Sequence, residues 1–166
     1  MNAPADPHDL NLWMQVCQFF YRYADLLDRE QFDSWVELFD RDSCRYEVLS
    51  RENRDLGLSL PIMGCFSHGM VQDRVAMLAK GVLTYRRDRL LRQVSNVQIE
   101  PGSSTTAVSA RANLVVYQSS EEGVSSLYMV ARYELELIEK ADALKIRRMA
   151  VVVDSFGIDT MLAVPL

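Results

Sequence analysis

The chain begins with a helical pattern of apolar positions. From Leu10 onward apolar residues recur every three or four positions, which predicts an amphipathic helix with one buried stripe. A second short helix is predicted after residues 27–31, and a third over 70–79, with Ser67 as its N-cap. The stripe of the first helix contains Trp13, Val16, Cys17, Phe20, Tyr23, Ala24 and Leu27.

In the second half of the chain the apolar period changes to two, which is the spacing of strands with one buried face. Helices followed by several antiparallel strands indicate an α+β domain. We expect a cone-shaped, strongly curved antiparallel or mixed β-sheet packed on three N-terminal helices. The predicted strands cover 44–49, 61–66, 90–100, 105–118, 124–139 and 144–156, and residues 50–60 are predicted to form a polar loop or arm.

Alternation along the two longest strands assigns their inner faces. The inner face of the strand over 105–118 contains Val108, Ala110, Ala112, Leu114 and Val116. The inner face of the strand over 124–139 contains Leu127, Met129, Ala131, Tyr133, Leu135 and Leu137. Side chains on these faces are predicted to form the core with the helices.

Length and patterning indicate one folded domain. Residues 1–9 contain two prolines and precede the helical pattern, so we expect a flexible tail followed by a single α+β cone domain over 10–166. The first residues lack the basic and apolar segments of a secretory signal. No apolar run reaches membrane-spanning length, so we expect no membrane contact, and the scattered cysteines indicate a cytoplasmic protein.

Charge and cysteine content exclude several classes of function. The chain has 18 Lys and Arg against 23 Asp and Glu, a net charge of −5, which argues against nucleic-acid binding because phosphate neutralisation needs a basic surface. Cys17, Cys44 and Cys65 are scattered and form no C-x-x-C pair. This spacing indicates buried thiols in a reducing compartment rather than a disulfide framework or a metal site.

Only one arrangement of residues offers catalytic chemistry. The two histidines, His8 and His68, are too few for the usual metal sites. His68 with Tyr23 and Asp28 would permit acid–base catalysis inside the cone, with the histidine taking a proton and the tyrosine polarising a carbonyl. In the structural alternative, the tyrosine belongs to the core, Asp28 ends a helix, and His68 is a turn residue at the entry of the third helix.

Several segments, in order, resemble a known family. They are "YADLLDREQFDSWVELFDRDSCRYEV", "SREN", "GMVQDRVAML", "QVSNVQIE", "ANLVVYQS" and "RRMAVVVDSFGIDTMLAVPL". From about residue 12 onward the chain resembles the small (beta) subunit of bacterial aromatic-ring-hydroxylating dioxygenases, which are Rieske non-haem iron oxygenases. The "RENRDLGL" stretch and the M-x-x-DR pattern resemble the aromatic-acid branch, of the salicylate, anthranilate and terephthalate type. Where many relatives have an Arg-His pair, this chain has Leu91-Arg92.

The resemblance implies a structural role. It implies the nuclear-transport-factor-like, cystatin-like cone fold, with no catalytic residue, cofactor or metal in this chain. The large (alpha) subunit is implied to hold a Rieske [2Fe-2S] cluster and mononuclear Fe(II), with electrons from NAD(P)H through a reductase. Three large and three small subunits would form a hexamer that inserts oxygen from O₂ into an aromatic ring.

Two further expectations concern surfaces and alternatives. Charged residues of the arm and the apolar end of the sequence are expected at subunit interfaces or tied down against the sheet. The interface candidates are Arg51, Asn53, Arg54, Arg74, Pro165 and Leu166. The alternatives from other classes are a free-standing ketosteroid-isomerase-like isomerase or dehydratase that uses the cone pocket, and a binding module without chemistry.

Overall fold

The computed structural model describes residues 7–58, 60–79, 88–100, 103–104, 106–141, 143–155 and 162–166. The described helices are α1 (Pro7–Asp28), α2 (Phe32–Val36), α3 (Arg51–Asp55) and α4 (His68–Ala79). The described strands are β1 (Arg45–Ser50), β2 (Met63–Cys65), β3 (Arg89–Ile99), β4 (Ala107–Ser119), β5 (Ser125–Lys140) and β6 (Ala143–Val153).

Helix α1 is longer than the apolar pattern predicts. It begins at Pro7 rather than Leu10, because proline is tolerated in the first turn of a helix, so the helix includes part of the expected tail. Residues 1–6 lie outside the described residues. Most of the predicted stripe is buried, but Trp13 is 44% exposed and its indole Nε1 donates to the Val97 carbonyl at 3.2 Å, so its placement in the core was wrong.

The two shorter helices show what capping residues contribute. The predicted loop over 50–60 contains α3, whose N-cap Ser50 accepts a hydrogen bond at its Oγ from the Asn53 N–H at 3.2 Å. Apolar periodicity cannot reveal this helix because all five of its residues are polar. Ser67 caps α4 as predicted, since its Oγ accepts from the Met70 N–H at 3.3 Å. Within the described ranges, no helix is long and apolar enough to span a membrane.

The six strands form one mixed sheet in the order β2-β1-β6-β5-β4-β3. Strands β1 and β6 run parallel, with Arg45 opposite Arg148, and the other neighbours are antiparallel. The predicted α+β class with a curved, mixed sheet is confirmed, with α1 and α2 in contact with each other and α1 in contact with β3. The described residues contain four helices rather than the predicted three, and the additional helix is α3.

The inner faces of the sheet agree with the alternation except at one position. All five predicted inner residues of β4 are buried, as are those of β5 from Met129 to Leu137. Leu127 is instead 58% exposed, because a register shift lies between the pairs Val116–Met129 and Tyr117–Leu127. This bulge turns Leu127 to the side of the exposed Tyr117, so its predicted inner position was wrong.

Candidate functional site

The deepest part of the molecule is a cluster of aromatic rings between the sheet and the first two helices. We call this buried cluster the cone interior; it contains Tyr23, Trp35, Tyr46 and Tyr133. Each of these side chains is at most 1% exposed. The ring of Tyr23 lies 5.8 Å from Trp35 and 5.6 Å from Tyr133, in edge-to-face arrangements that suit aromatic quadrupoles. The cone interior is therefore apolar in bulk but carries hydroxyl and indole groups.

A separate stretch of the chain, residues 162–166, enters the cone interior. Leu166 is fully buried, and its main-chain N–H donates to the Tyr46 hydroxyl at 2.9 Å. Its main-chain oxygen accepts a hydrogen bond from the Tyr23 hydroxyl at 2.8 Å. The apolar end of the sequence was predicted to be held against the sheet, and two buried tyrosine hydroxyls do hold it by hydrogen bonds to the main chain of Leu166.

A buried ion pair supports the same segment. The Arg92 guanidinium donates through Nη1 to the Asp28 carboxylate at 2.6 Å and through Nη2 to the Pro165 carbonyl. The main-chain N–H of Arg92 also donates to Asp28, so helix α1 and strand β3 are joined at this point. Asp28 therefore balances the charge of an arginine whose side chain is only 1% exposed.

The three residues of the possible acid–base site have separate partners. Tyr23 binds the 162–166 segment and Asp28 binds Arg92, while His68 is the first residue of α4, which packs on α2. His68 is partly buried, and its Nε2 has no hydrogen-bond partner among the described residues. No hydrogen bond joins His68 to Tyr23 or Asp28 in the described part of the chain. The geometry gives this trio no shared reaction centre.

Titration of the interior groups also disfavours acid–base work. Burial raises the pKa of Tyr23, Tyr46 and Tyr133 above that of a free tyrosine, with neighbouring tyrosines adding to the effect for Tyr23. The hydroxyls therefore stay neutral near pH 7. The Tyr23 and Tyr46 hydroxyls act as hydrogen-bond partners of Leu166 rather than as bases.

The cysteines are poor ligands for a metal cluster. All three are buried as free thiols, and burial raises the pKa of Cys44 to about 11, with the nearby Asp40 carboxylate adding to it. A thiol must lose its proton to bind a metal, so this environment is unfavourable for ligation. Among the described residues no three His, Cys, Asp or Glu side chains come together as a metal site. A Rieske cluster or iron centre does not fit the donors that the described residues offer.

Comparison with known proteins identifies the family. The profile of the ring hydroxylating beta subunit family matches residues 22–160. This chain belongs to the ring hydroxylating beta subunits. The resemblance seen in the sequence is confirmed, and the chain is a subunit of a multicomponent aromatic-ring-hydroxylating dioxygenase.

Two curated relatives and one solved structure illustrate the similarity. The chain is 28% identical to the anthranilate 1,2-dioxygenase small subunit of Burkholderia cepacia over 95% of this chain and 96% of that one. It is also 28% identical to a terephthalate 1,2-dioxygenase beta subunit of Comamonas sp., covering 92% and 97% of the two chains. A chain from Novosphingobium aromaticivorans described as a dioxygenase beta subunit is 29% identical, with a TM-score of 0.82, covering 93% and 96%.

The predicted interface residues of this beta subunit are divided between surface and core. Arg51 pairs with Asp154, and Arg54 pairs with Glu134 at 2.8 Å, with both arginine side chains roughly half exposed. Asn53 donates through Nδ2 to the Leu60 carbonyl at 2.9 Å. These three side chains therefore each have a partner within the chain, although the buried Arg51 Nε has none among the described residues.

The other three interface candidates all belong to the 162–166 segment or contact it. Arg74 donates through Nη1 to the Ala163 carbonyl at 3.5 Å, and Pro165 and Leu166 are buried in the beta subunit's own core. Neither Pro165 nor Leu166 offers side-chain surface to a partner. Their physical role is to fill the cone interior.

Sequence reasoning missed Arg92 as an organising residue. Arg92 was noted only as a departure from the family pattern, although it is buried and bonds both α1 and the 162–166 segment. A signal was present, since Arg92 occupies the inward position between Leu90 and Val94 on β3, opposite the buried Val116. A charged residue at an inward position of a strand indicates a buried partner.

Proposed function

We propose that this beta subunit is the structural partner of a large oxygenase subunit that carries the redox centres. The observation that carries the proposal is the family match together with a cone interior filled by the chain's own residues. The Tyr23 and Tyr46 hydroxyls already bond the main chain of Leu166, so these groups are engaged within the chain rather than presented to a substrate. The isomerase or dehydratase alternative therefore has no support from the geometry.

The cofactors are assigned to the partner. In this proposal the large subunit binds a Rieske [2Fe-2S] cluster and mononuclear Fe(II), with NAD(P)H supplying electrons through a reductase. The donors of the described beta-subunit residues, with buried protonated thiols, are consistent with that division. We further propose a cytoplasmic hexamer of three large and three small subunits.

The substrate is proposed to be an aromatic acid. Relatives named for anthranilate and terephthalate dioxygenation align with this chain over more than nine-tenths of its length. Both of those substrates carry a carboxylate on an aromatic ring. The assembled enzyme is accordingly proposed to insert oxygen from O₂ into the ring of such an acid.

We propose that the arm contacts the large subunit through its leucines. Leu56, Leu58 and Leu60 are 65%, 45% and 63% exposed, while the arm's Arg51 and Arg54 already have carboxylate partners. Exposed apolar residues rimmed by charged groups are typical of interfaces between subunits. In this proposal the leucines supply contact area and the half-exposed arginines set the orientation.

Co-expression with the large subunit encoded by the same organism tests the function. We expect a brown complex with the Rieske electron paramagnetic resonance signal and with oxygen uptake dependent on anthranilate or terephthalate. A His68→Ala variant in the same complex should keep its turnover, because His68 has no catalytic role in this proposal. Failure of the chains to co-purify, or loss of turnover in a correctly assembled His68→Ala complex, would contradict the proposal.

A further inference from the structure

The outward side of β2 carries an aromatic ring at the surface. Met63 and Cys65 are buried, so alternation places Gly64 on the opposite side of this strand, with Ile62 and Phe66 two positions before and after it. Ile62 is 41% exposed and Phe66 is 47% exposed. The fold therefore presents the Phe66 ring to solvent instead of using it to fill the core.

Gly64 allows the Phe66 ring to lie against the strand. The tip of the ring occupies the space that a Cβ atom at position 64 would need, since Phe66 Cζ lies only 2.6 Å from where that atom would be. The φ of Gly64 is outside the left-handed region, so the backbone conformation does not require glycine here. The close approach of the ring is what requires it.

Arg45 holds the same ring from another side. Its guanidinium carbon lies 4.7 Å from the centre of the Phe66 ring, which is a cation–π contact. The guanidinium is fixed by two hydrogen bonds to the Glu47 carboxylate, from Nε at 2.5 Å and from Nη2 at 2.7 Å. The main-chain N–H of Phe66 donates to the Met70 sulfur at 3.4 Å. The ring and the backbone of Phe66 are thus both held in place within the chain.

A row of charged residues joins this ring to the arm across one face of the sheet. Glu47 also lies 3.8 Å from Arg148, which donates to Glu136 at 3.5 Å. Glu136 follows Glu134 by two positions on β5, so the two carboxylates lie on the same face, and Glu134 pairs with Arg54 of the arm. The Phe66 ring and the arm therefore belong to the same side of the molecule.

An exposed ring that is already fixed is suited to be an anchor at an interface. Aromatic side chains carry much of the binding energy of interfaces, and a side chain that is held beforehand loses less entropy when a partner covers it. Because Glu47 neutralises Arg45, the ring is flanked by a balanced ion pair rather than by a net charge. The surface that fits this ring is an apolar pocket and not an acidic or basic patch.

We propose that Phe66 is an anchor that inserts into an apolar pocket of the large subunit, beside the contact made by the arm. The inference rests on the proposed function and adds a second contact to the same partner. A second copy of this chain fits less well, because the exposed parts of Ile62, Phe66 and Met70 fall far short of the roughly 800 Å² per partner that a stable interface buries. The ring needs a larger interface around it, which the adjoining arm supplies.

Two substitutions in the full chain separate the ring from its placement. Phe66→Ala removes the anchor and should lower the affinity for the large subunit about tenfold, measured by biolayer interferometry. Gly64→Ala keeps the ring but displaces its tip, and should lower the affinity about threefold. Because the ring only has to swing outward, the Gly64→Ala chain should keep its circular dichroism spectrum. Smaller ring-current shifts of the Arg45 side-chain protons should report the displaced ring.

A double variant and a control make the test specific. If Gly64 acts only through the ring, Gly64→Ala should have no effect once Phe66 is replaced, so the double variant should bind as Phe66→Ala does. Tyr21→Ala is the control for an exposed aromatic side chain elsewhere. Tyr21 is 54% exposed on α1, a helix that packs on the inner face of the sheet through Phe20 and Tyr133, and its substitution should leave the affinity unchanged.

The inference is supported if both single variants bind more weakly and the double variant adds no further loss. Unchanged affinity in folded Phe66→Ala overturns it, as does unchanged affinity in Gly64→Ala with a displaced ring. A loss from Gly64→Ala that persists without the Phe66 ring also overturns it. If any of these occurs while Leu58→Ser and Leu60→Ser still weaken binding, the arm contact stands without this anchor. Absence of binding by the unmodified chain contradicts the proposed function and this inference with it.

Discussion

The cone interior and the arm reverse the usual distribution of polar and apolar groups. In and beside the cone interior, the buried Arg92 bonds Asp28 and the 162–166 segment, and two tyrosine hydroxyls bond the same segment. In the arm, Leu56 and Leu60 point to solvent with more than 60% of their surface exposed. The interior thus completes most of its bonding within one chain, whereas the arm leaves apolar surface uncovered.

The contrast separates residues that stabilise the fold from residues that serve assembly. A buried charged group is costly unless its partners stay in place, so changes in the cone interior should destabilise the isolated chain. An exposed leucine contributes little to the free energy of unfolding but contributes contact area once a partner covers it. Measurements on the isolated chain and on the complex should therefore give opposite rankings for the two regions.

The largest effect is expected for Arg92→Met. The substitution removes the partner of Asp28, whose side chain is 16% exposed, and the donor to the Pro165 carbonyl. We expect a loss of about 3–5 kcal/mol in the free energy of unfolding, as for other broken buried pairs, measured by urea denaturation. The matched control is Arg111→Met, since Arg111 is 59% exposed in its pair with Glu100 and should change stability by less than about 0.5 kcal/mol. Equal losses in the free energy of unfolding for the two variants would contradict the difference expected between buried and exposed arginines.

A second buried charge, that of Asp40, tests whether burial alone, rather than a place in the cone interior, sets the loss in the free energy of unfolding. The Asp40 and Asp42 carboxylates both contact Lys140 Nζ, at 2.8 Å and 2.6 Å, with side chains 3% and 83% exposed. We expect Asp40→Asn to cost about 2 kcal/mol at pH 7, as for hydrogen bonds to a charged group, and Asp42→Asn less than about 0.5 kcal/mol.

The effect of Asp40→Asn should depend on pH. Burial alone would raise the pKa of Asp40, but hydrogen bonds from Lys140 and from the Ser43 N–H outweigh it and hold the pKa below its usual value. A carboxyl group whose pKa is lower in the folded state stabilises the fold above the unfolded pKa of about 4 and loses that contribution as the pH falls. Thermal unfolding from pH 7 to pH 3 should show the Asp40→Asn deficit shrinking below about pH 4. A deficit that is constant across this range would mean that packing, not charge, accounts for it.

The smallest effect on the isolated chain, and a clear one on assembly, is expected for the arm. Leu58→Ser and Leu60→Ser should leave the free energy of unfolding within about 0.5 kcal/mol of the unmodified chain, because both side chains are already exposed. Affinity for the large subunit should fall about tenfold for each, as for anchors at an interface, measured by biolayer interferometry. Val124→Ser, at a residue 65% exposed before β5, is the control and should change neither quantity. Unchanged affinity in both arm variants would mean that the large subunit binds another surface of this chain.

Sequence periodicity predicted the elements that bury a face. The long strands and α1 have enough apolar repeats to show their period, and their inner faces were correct apart from Trp13 and Leu127. The bulge that exposes Leu127 depends on the register between β4 and β5, and the sequence of one strand alone does not reveal that register. Helix α3 has no apolar stripe, and only the Ser50 cap hinted at it.

The site was harder to predict because its bonds join distant parts of the chain. Arg92 and Asp28 are 64 positions apart, and Arg92 and Pro165 are 73 apart. Alternation marks Arg92 as an inward residue but does not name its partners. The role of Leu166 was equally hidden, since an apolar residue near the end of a sequence fits an interface as well as a core.

The parallel pairing of β1 with β6 has a consequence for the speed of folding. Arg45 pairs with Arg148, so the chain must close a loop of about one hundred residues before β1 joins β6 and the rest of the sheet. Until then β1 has only the three-residue strand β2 beside it, with its other edge open to other chains. Closure of this long loop is expected to be a slow step of folding. Until it closes, aggregation between newly made chains is expected along the unpaired edge of β1.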